Sequence, residues 1–172
     1  MISYKERLSN ISTFIFDVDG VLTNGKVILF KDEMVRMLNT KDGYALQYAS
    51  KMGFRILVIT GGNSEEVQKQ LLSLGCTEVV LRSSNKMQTY NSLKEKYNFT
   101  DNEVMFMGDD IPDYQVMSVV GLSACPQDAS VEIKEISHYQ SPFSGGKNCV
   151  RDIIEQTLRV QNKWFKKEAF HW

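Results

Sequence analysis

The sequence predicts an α/β fold, a Rossmann-like, mostly parallel sheet with helices on both faces, and three observations carry that prediction. Five short runs rich in β-branched and aromatic residues recur along the chain, segments with helical spacing and helix-end signals alternate with them, and two of the runs end abruptly in Asp and Gly. A strand–helix–strand alternation implies parallel strands joined by right-handed crossovers, and ligands in such sheets bind beyond the carboxyl ends of the strands.

Taken in order, the first strand is TFIFDVD (13–19), an apolar run closed by acids. The segment GKVILFKDEMVRMLNT (25–40) then breaks the alternation. Its two short strand-like runs around Lys31, Asp32 and Glu33 predict an inserted β-hairpin with a polar, projecting tip. A helix over 42–52 ends at Gly53, and the second strand is FRILVIT (54–60). The next helix, 64–74, starts at Asn63 with Glu66 three residues on as a capping box and ends at Gly75. TEVVL (77–81), a helix over 86–97, EVMFMGD (103–109), a helix over 113–120 and GLSAC (121–125) continue the alternation. Val150, Ile153, Ile154, Thr157, Leu158 and Gln161 set the largely apolar face of a long final helix, and 163–172 reads as a tail.

Size and composition agree with this reading. The 172 residues suit a single domain, 1–172, that buries about 70% of its unfolded surface. Hydrophobic residues at 42% and charged residues at 24% exclude disorder and coiled coil. A formal charge of -1 provides no field to hold a polyanion, so nucleic acid is not expected as a partner, although a small basic pocket is compatible with it. The N-terminal MISYKERLSNIST lacks the apolar core of a secretory signal, and no run approaches the roughly 18 apolar residues of a membrane span, so a cytoplasmic protein is expected. Cys76, Cys125 and Cys149 are odd in number and scattered, with only His138 and His171 to join them, which suggests neither a disulfide framework nor a zinc site.

The chemistry gathers at the strand ends. Asp17 and Asp19 follow TFIF, and two close carboxylates either share a proton or call for a hard cation such as Mg²⁺. Taken alone, the pair also reads as a polar turn. The fourth strand ends in Gly108, Asp109, Asp110, Ile111, Pro112 and Asp113, a second acidic group at the same sheet edge, in which Asp110 or Asp113 also serves as a helix cap. Thr60 and Gly61 close the second strand with a hydroxyl and free N–H groups suited to phosphate oxygens. Lys86 opens a helix, where a cation is mildly unfavourable unless an anion such as phosphate or Asp17 faces it; taken alone it also reads as a solvated surface lysine.

FDVDGVLT, VITGG, SSNK and GDDIPD, in that order, resemble the four motifs of the haloacid dehalogenase superfamily of phosphotransferases, and Asp-x-Asp is the form found in its phosphatases. The resemblance implies Asp17 as the nucleophile that becomes an aspartyl phosphate, and Asp19 as general acid and then base. It implies Mg²⁺ held by the Asp17 side chain, the Asp19 backbone carbonyl and Asp109, with Asp110 or Asp113 in support and Thr60 and Lys86 on the phosphoryl oxygens.

Only 42 residues separate Asp17 from Thr60 and 25 separate Thr60 from Lys86, so no cap domain fits, and something else must cover the site. DGVLTNGKV, LNTKDGYAL, SNK and SGGKNCVRDI resemble the capless 3-deoxy-D-manno-octulosonate 8-phosphate phosphatases. That resemblance implies a homotetramer with packed hairpins, a phosphorylated sugar acid as substrate, and a place in lipopolysaccharide synthesis. The residues by themselves reach only phosphomonoester hydrolysis. Lys41 and Gly43 in NTKDG are candidates for substrate contact; alternatively this segment is a helix start capped by Asp42. Gly62 stands where relatives usually carry arginine, which removes a carboxylate-binding cation; Lys147 or Arg151 beside the glycine turn are candidate replacements and the tail from Lys163 is a candidate to reach a neighbouring subunit's site, with plain surface as the alternative for both. Nine-carbon keto-sugar phosphates, and a phosphosugar-binding subunit without turnover, are the competing readings.

Overall fold

The computed structural model describes residues 3–31 and 34–172. Its centre is a six-stranded sheet made of β1 (Thr13–Phe16), β4 (Arg55–Ile59), β5 (Glu78–Val80), β6 (Val104–Met107), β7 (Leu122–Cys125) and β8 (Tyr139–Gln140). The strands lie in the order β5-β4-β1-β6-β7-β8, and every neighbouring pair is parallel. The helices are α1 (Tyr4–Leu8), α2 (Thr40–Lys51), α3 (Glu65–Ser73), α4 (Lys86–Tyr97), α5 (Tyr114–Met117), α6 (Val131–Ile136) and α7 (Cys149–Val160).

The strands are apolar on both faces because both faces are covered. Phe14, Phe16, Ile56, Val58, Met105 and Met107 point to one side, against Leu46 and Ala49 of α2 and Ile153, Ile154 and Leu158 of α7. Ile15, Leu57, Ile59, Val104 and Phe106 point to the other, against Tyr90 and Leu93 of α4 and Val116 and Met117 of α5. The period of two along each strand thus divides the core into two layers. Cys76, Cys125 and Cys149 are buried and free. No described helix is long and apolar enough to cross a membrane.

The hairpin is present as β2 (Ile28–Leu29) and β3 (Met34–Val35), antiparallel, with Ile28 opposite Val35 and Leu29 opposite Met34. Asp32 and Glu33 of its expected tip lie outside the described residues. Its flanks are not polar: Ile28, Leu29, Phe30, Met34 and Met37 are all exposed. Among the described residues this hairpin is the only sheet inserted between β1 and α2, so no cap domain is present.

Several local expectations change. The cap of α3 is Ser64, whose hydroxyl accepts the Val67 N–H (3.3 Å), rather than Asn63. Asn39 caps α2, accepting the Lys41 N–H at 2.8 Å, so Asp42 is not the cap of its own helix. Instead the buried Asp42 carboxylate accepts the N–H groups of Arg151 (2.8 Å) and Asn148 (3.2 Å) and holds the start of α7. Burial raises the pKa of Asp42, and those two N–H bonds oppose the shift. The expected helix over 113–120 is a tight turn, Ile111–Asp113, followed by the short α5. The elements α1, α6 and β8 were not expected; the first two are too short for a periodic signal, and β8 is a two-residue edge strand.

The tail does not project. Tyr48 donates its hydroxyl to the Lys163 carbonyl (2.9 Å) and accepts the Lys166 N–H (3.0 Å), and Tyr44 donates to the Ala169 carbonyl (2.6 Å). Trp164 meets Tyr48 edge-on at 5.4 Å, so the tail lies along α2 of its own chain.

Candidate active site

The register of the central strands assembles the site. Phe16 of β1 lies opposite Val58 of β4 on one side and Met107 of β6 on the other. The residues that follow therefore leave the sheet at one edge: Asp17 from β1, Thr60 from β4, and Gly108 and Asp109 from β6. The Asp17 N–H still donates to the Met107 carbonyl (3.1 Å), which ties the first acid to the neighbouring strand. Beyond it the chain makes one wide turn, Val18–Leu22, closed by the Thr23 N–H on the Val18 carbonyl (2.9 Å).

Two glycines permit this crowding. Gly20 has φ +88°, and a Cβ there would strike the Asp109 carboxylate. Gly145 of the late glycine turn packs on the Gly20 carbonyl, where a Cβ would also collide. The glycine turn therefore braces the Asp17–Gly20 loop from behind.

Lys86 lies at the centre of the cluster. Its Nζ is 2.9 Å from Asp17 Oδ1 and 2.5 Å from Asp113 Oδ1, and all three side chains are buried. The second Asp113 oxygen accepts the Asp109 N–H (3.1 Å). Burial acts to lower the pKa of Lys86, but the two carboxylates outweigh it and raise the pKa overall. Asp17 is pushed up to about 6, chiefly by burial, with Lys86 pulling it down and Asp113 adding to the rise. Asp109 is pushed up to about 7 by burial and by the charges of Asp17 and Asp113.

Carboxylate oxygens of Asp17, Asp109 and Asp113 lie within 4.8 Å of one another. An all-oxygen, strongly anionic donor set suits a hard divalent cation. Lys86 is shared between Asp17 and Asp113, so among the described residues the three carboxylates have one cation between them. Of the two supporting acids expected, the structure brings in Asp113; Asp110 is exposed and only its carbonyl is used, by the Asp113 N–H at 2.9 Å.

Thr60 is buried, with its Oγ1 accepting the Gly62 N–H (3.0 Å), and Gly61 is exposed beside it. Asp19 takes a different place from the other acids. Its carboxylate is held in a fork by Arg36, with Nε to Oδ1 at 2.7 Å and Nη2 to Oδ2 at 3.0 Å, and the Thr23 hydroxyl donates to it at 3.4 Å. Hydrogen bonding to Asp19 in turn raises the Arg36 pKa. Asp19 and Arg36 line a cleft of about 510 Å³ with Met34, Gly61, Gly62, Asn63 and Arg82.

Arg36 was not expected from the sequence. Its only signal is a lone cation inside the apolar run MVRMLN, which a hairpin strand with one solvated side explains equally well. Lys41 and Gly43 are not brought to this cleft. Lys41 lines a separate groove with Asn148, Arg151 and Glu155. Gly43 is buried at a close helix contact, where a Cβ would meet Leu74 at 3.2 Å, so its small size serves packing. Arg151 stacks over Tyr44 and Trp164, at 5.6 and 5.7 Å, and Lys147 is exposed on the glycine turn.

A sequence profile of haloacid dehalogenase-like hydrolases matches residues 71–152. The chain is 32% identical over 158 residues, 91% of its length and 84% of the relative's, to the 3-deoxy-D-manno-octulosonate 8-phosphate phosphatase KdsC of Escherichia coli K12. The structure is similar to that of the phosphatase of the same name from Yersinia pestis, with a TM-score of 0.90 and 29% identity over 93% of this chain and 87% of the other. It is also similar to the Moraxella catarrhalis enzyme of that name, solved with a magnesium ion, a phosphate ion and KDO (TM-score 0.90, 25% identity, 94% and 93% covered).

Proposed function

The chain belongs to the haloacid dehalogenase-like hydrolases and is a phosphatase, and on that premise we propose that it hydrolyses 3-deoxy-D-manno-octulosonate 8-phosphate to the free sugar acid and phosphate, with Mg²⁺ as cofactor. The observation that carries this reading is Lys86 bridging Asp17 and Asp113 at the sheet edge where Asp109 and Thr60 also emerge. The choice of sugar acid is supported by the relatives that bear this activity in their names across most of the chain.

In this mechanism an Asp17 carboxylate oxygen attacks phosphorus, and the P–O bond to the sugar breaks as the aspartyl phosphate forms. Asp19 gives its proton to the departing alkoxide, then takes one from the water that cleaves the acyl phosphate, which returns Asp17 as a carboxylate and releases phosphate. Lys86 keeps Asp17 ionised against its burial and, with Thr60, faces the phosphoryl oxygens. Asp17, Asp109 and the Asp19 carbonyl are the groups that would hold Mg²⁺, whose chemistry is to offset the charge on the phosphoryl group. Their oxygen-only donor set fits that ion.

The exposed apolar hairpin, Ile28, Leu29, Phe30, Met34 and Met37, supports a homotetramer in which hairpins cover one another, and sedimentation checks it. The test of function is phosphate release with Mg²⁺ from eight-carbon and nine-carbon keto-sugar phosphates and an aryl phosphate. A clear preference for the eight-carbon acid is expected. Preference for a nine-carbon acid keeps the mechanism and moves the substrate, and no release from any of them overturns the proposal.

A further inference from the structure

The cleft beside Asp19 contains a charged group that the phosphoryl chemistry does not use. Arg36 comes off the hairpin just after β3, and its side chain is only 7% exposed. One edge of its guanidinium grips Asp19, while its Nη1 is buried with no hydrogen-bond partner among the described residues. A buried, charged donor left unpaired is costly and needs an explanation. Asp19 is also an incomplete partner, because its own side chain is 35% exposed to the cleft.

Two further features mark this cleft as built for an anion. Gly62 has no side chain to fill it; a Cβ there would sit 3.5 Å from Arg36 Nη2, 3.6 Å from Asp19 Oδ2 and 3.3 Å from Thr60 Oγ1. Arg82, on the opposite loop, adopts the left-handed φ of 56° and is anchored by its N–H on the Gly62 carbonyl (2.9 Å). Such a backbone is uncommon for a residue with a Cβ and is held only where the surroundings impose it. Arg82 lines the cleft and makes no ion pair among the described residues.

We propose that Arg36, with Arg82 on the rim, is the carboxylate-binding subsite of this phosphatase, and that Arg36 exchanges part of its grip on Asp19 for the acid group of the substrate. The inference rests on the reading of the substrate as a phosphorylated sugar acid. A guanidinium offers paired N–H donors that match a planar carboxylate, and the Arg36–Asp19 pair shows that fork already closed on one. The Arg82 guanidinium and the Arg36 N–H groups that let go of Asp19 are the donors for a second carboxylate. A phosphomonoester without an acid group leaves Arg36 wholly on Asp19. Selectivity for an acidic substrate then comes from Arg36 having two carboxylate partners, one in the free protein and one in the complex.

The test compares Arg36→Gln, Arg36→Lys and Arg82→Gln with the unaltered protein, after circular dichroism has shown each to be folded. KM and kcat are measured with Mg²⁺ for a keto-sugar acid phosphate and for an aryl phosphate. Arg36→Gln is expected to raise KM for the sugar acid roughly 10- to 100-fold, with no comparable rise for the aryl phosphate. Arg36→Lys keeps the charge but not the fork and falls between. Equal losses on both substrates show that Arg36 only positions Asp19 and overturn the proposal. Calorimetric binding of the free sugar acid, 3-deoxy-D-manno-octulosonate, reads the subsite without turnover. Loss of that binding in Arg36→Gln sustains the inference even if the phosphatase assay fails, whereas unchanged binding overturns it while the phosphatase reading stands.

Discussion

Replacing Lys86 by Met tests the electrostatic core of the site. Met has nearly the length of the lysine stem, so the change removes the charge and leaves little cavity. Asp17 and Asp113, both buried, then face each other without the cation 2.9 and 2.5 Å away. Breaking a buried ion pair by deleting one partner costs roughly 3–5 kcal/mol. Proton uptake limits that cost here, because Asp17 already lies at about 6 while Lys86 pulls it down, and it rises further without the lysine. A deficit of about 3 kcal/mol is therefore expected at pH 7.5, or roughly 6–12 °C in Tm for a chain of this size.

The pH dependence has a definite sign. A carboxyl whose folded pKa is raised destabilises the fold only where it must ionise, so the Asp17 penalty is absent below its unfolded pKa near 4 and grows as pH rises through the folded value. The deficit of Lys86→Met should shrink markedly between pH 7.5 and pH 5. Urea unfolding followed by circular dichroism at both pH values, with chelator present, measures it. Equal stability at pH 7.5, or a deficit that ignores pH, would refute the reasoning. Turnover of the folded variant should drop by about 10²- to 10³-fold, the usual loss for one preorganised group facing the transition-state charge.

Other expectations follow from the same geometry. Asp17→Asn should abolish Mg²⁺-dependent phosphate release, by at least about 10⁴-fold, yet be no less stable than the parent at pH 7.5 because it removes a carboxyl held at about 6 by burial; a melting curve beside the phosphate assay checks both. Asp109, pushed up to about 7, should lose a proton when a divalent ion binds, so Mg²⁺ affinity should rise between pH 6 and pH 8. Calorimetry in buffers of different ionisation enthalpy detects the proton, and its absence would sink the assignment of Asp109 as ligand. Asp42→Ala removes the acceptor of the Arg151 and Asn148 N–H groups and should cost about 1–3 kcal/mol in urea unfolding, with KM unchanged if its role is to hold α7.

The strand alternation and the acidic strand ends were legible in the sequence because they are local. An apolar run that must bury both faces is written in consecutive residues, and the acids beyond Phe16 and Met107 can lie nowhere but at the edge where the run stops. Parallel order then brings Asp17, Thr60 and Asp109 to the same edge with no further information. Lys86 was legible only through the resemblance of SSNK to a family motif, since a lysine opening a helix reads equally as a solvated surface residue.

What only the tertiary structure decided are the contacts made between distant parts of the chain. The choice of Asp113 over Asp110 depends on which carboxylate the turn after β6 aims at Lys86, and both have the same sequence credentials. Asp42 reads as the cap of its own helix, but its side chain meets the start of α7, 106 and 109 residues later. Gly43 and Lys41 lie close in sequence to the first acids, but Gly43 packs against Leu74 and Lys41 lines a separate groove, while the two tyrosines of α2 hold the tail along their own helix. Arg36 reaches Asp19 only because the hairpin folds back over the sheet edge. A side chain's direction across such a turn follows from the assembled backbone and is not encoded in the period of the neighbouring residues.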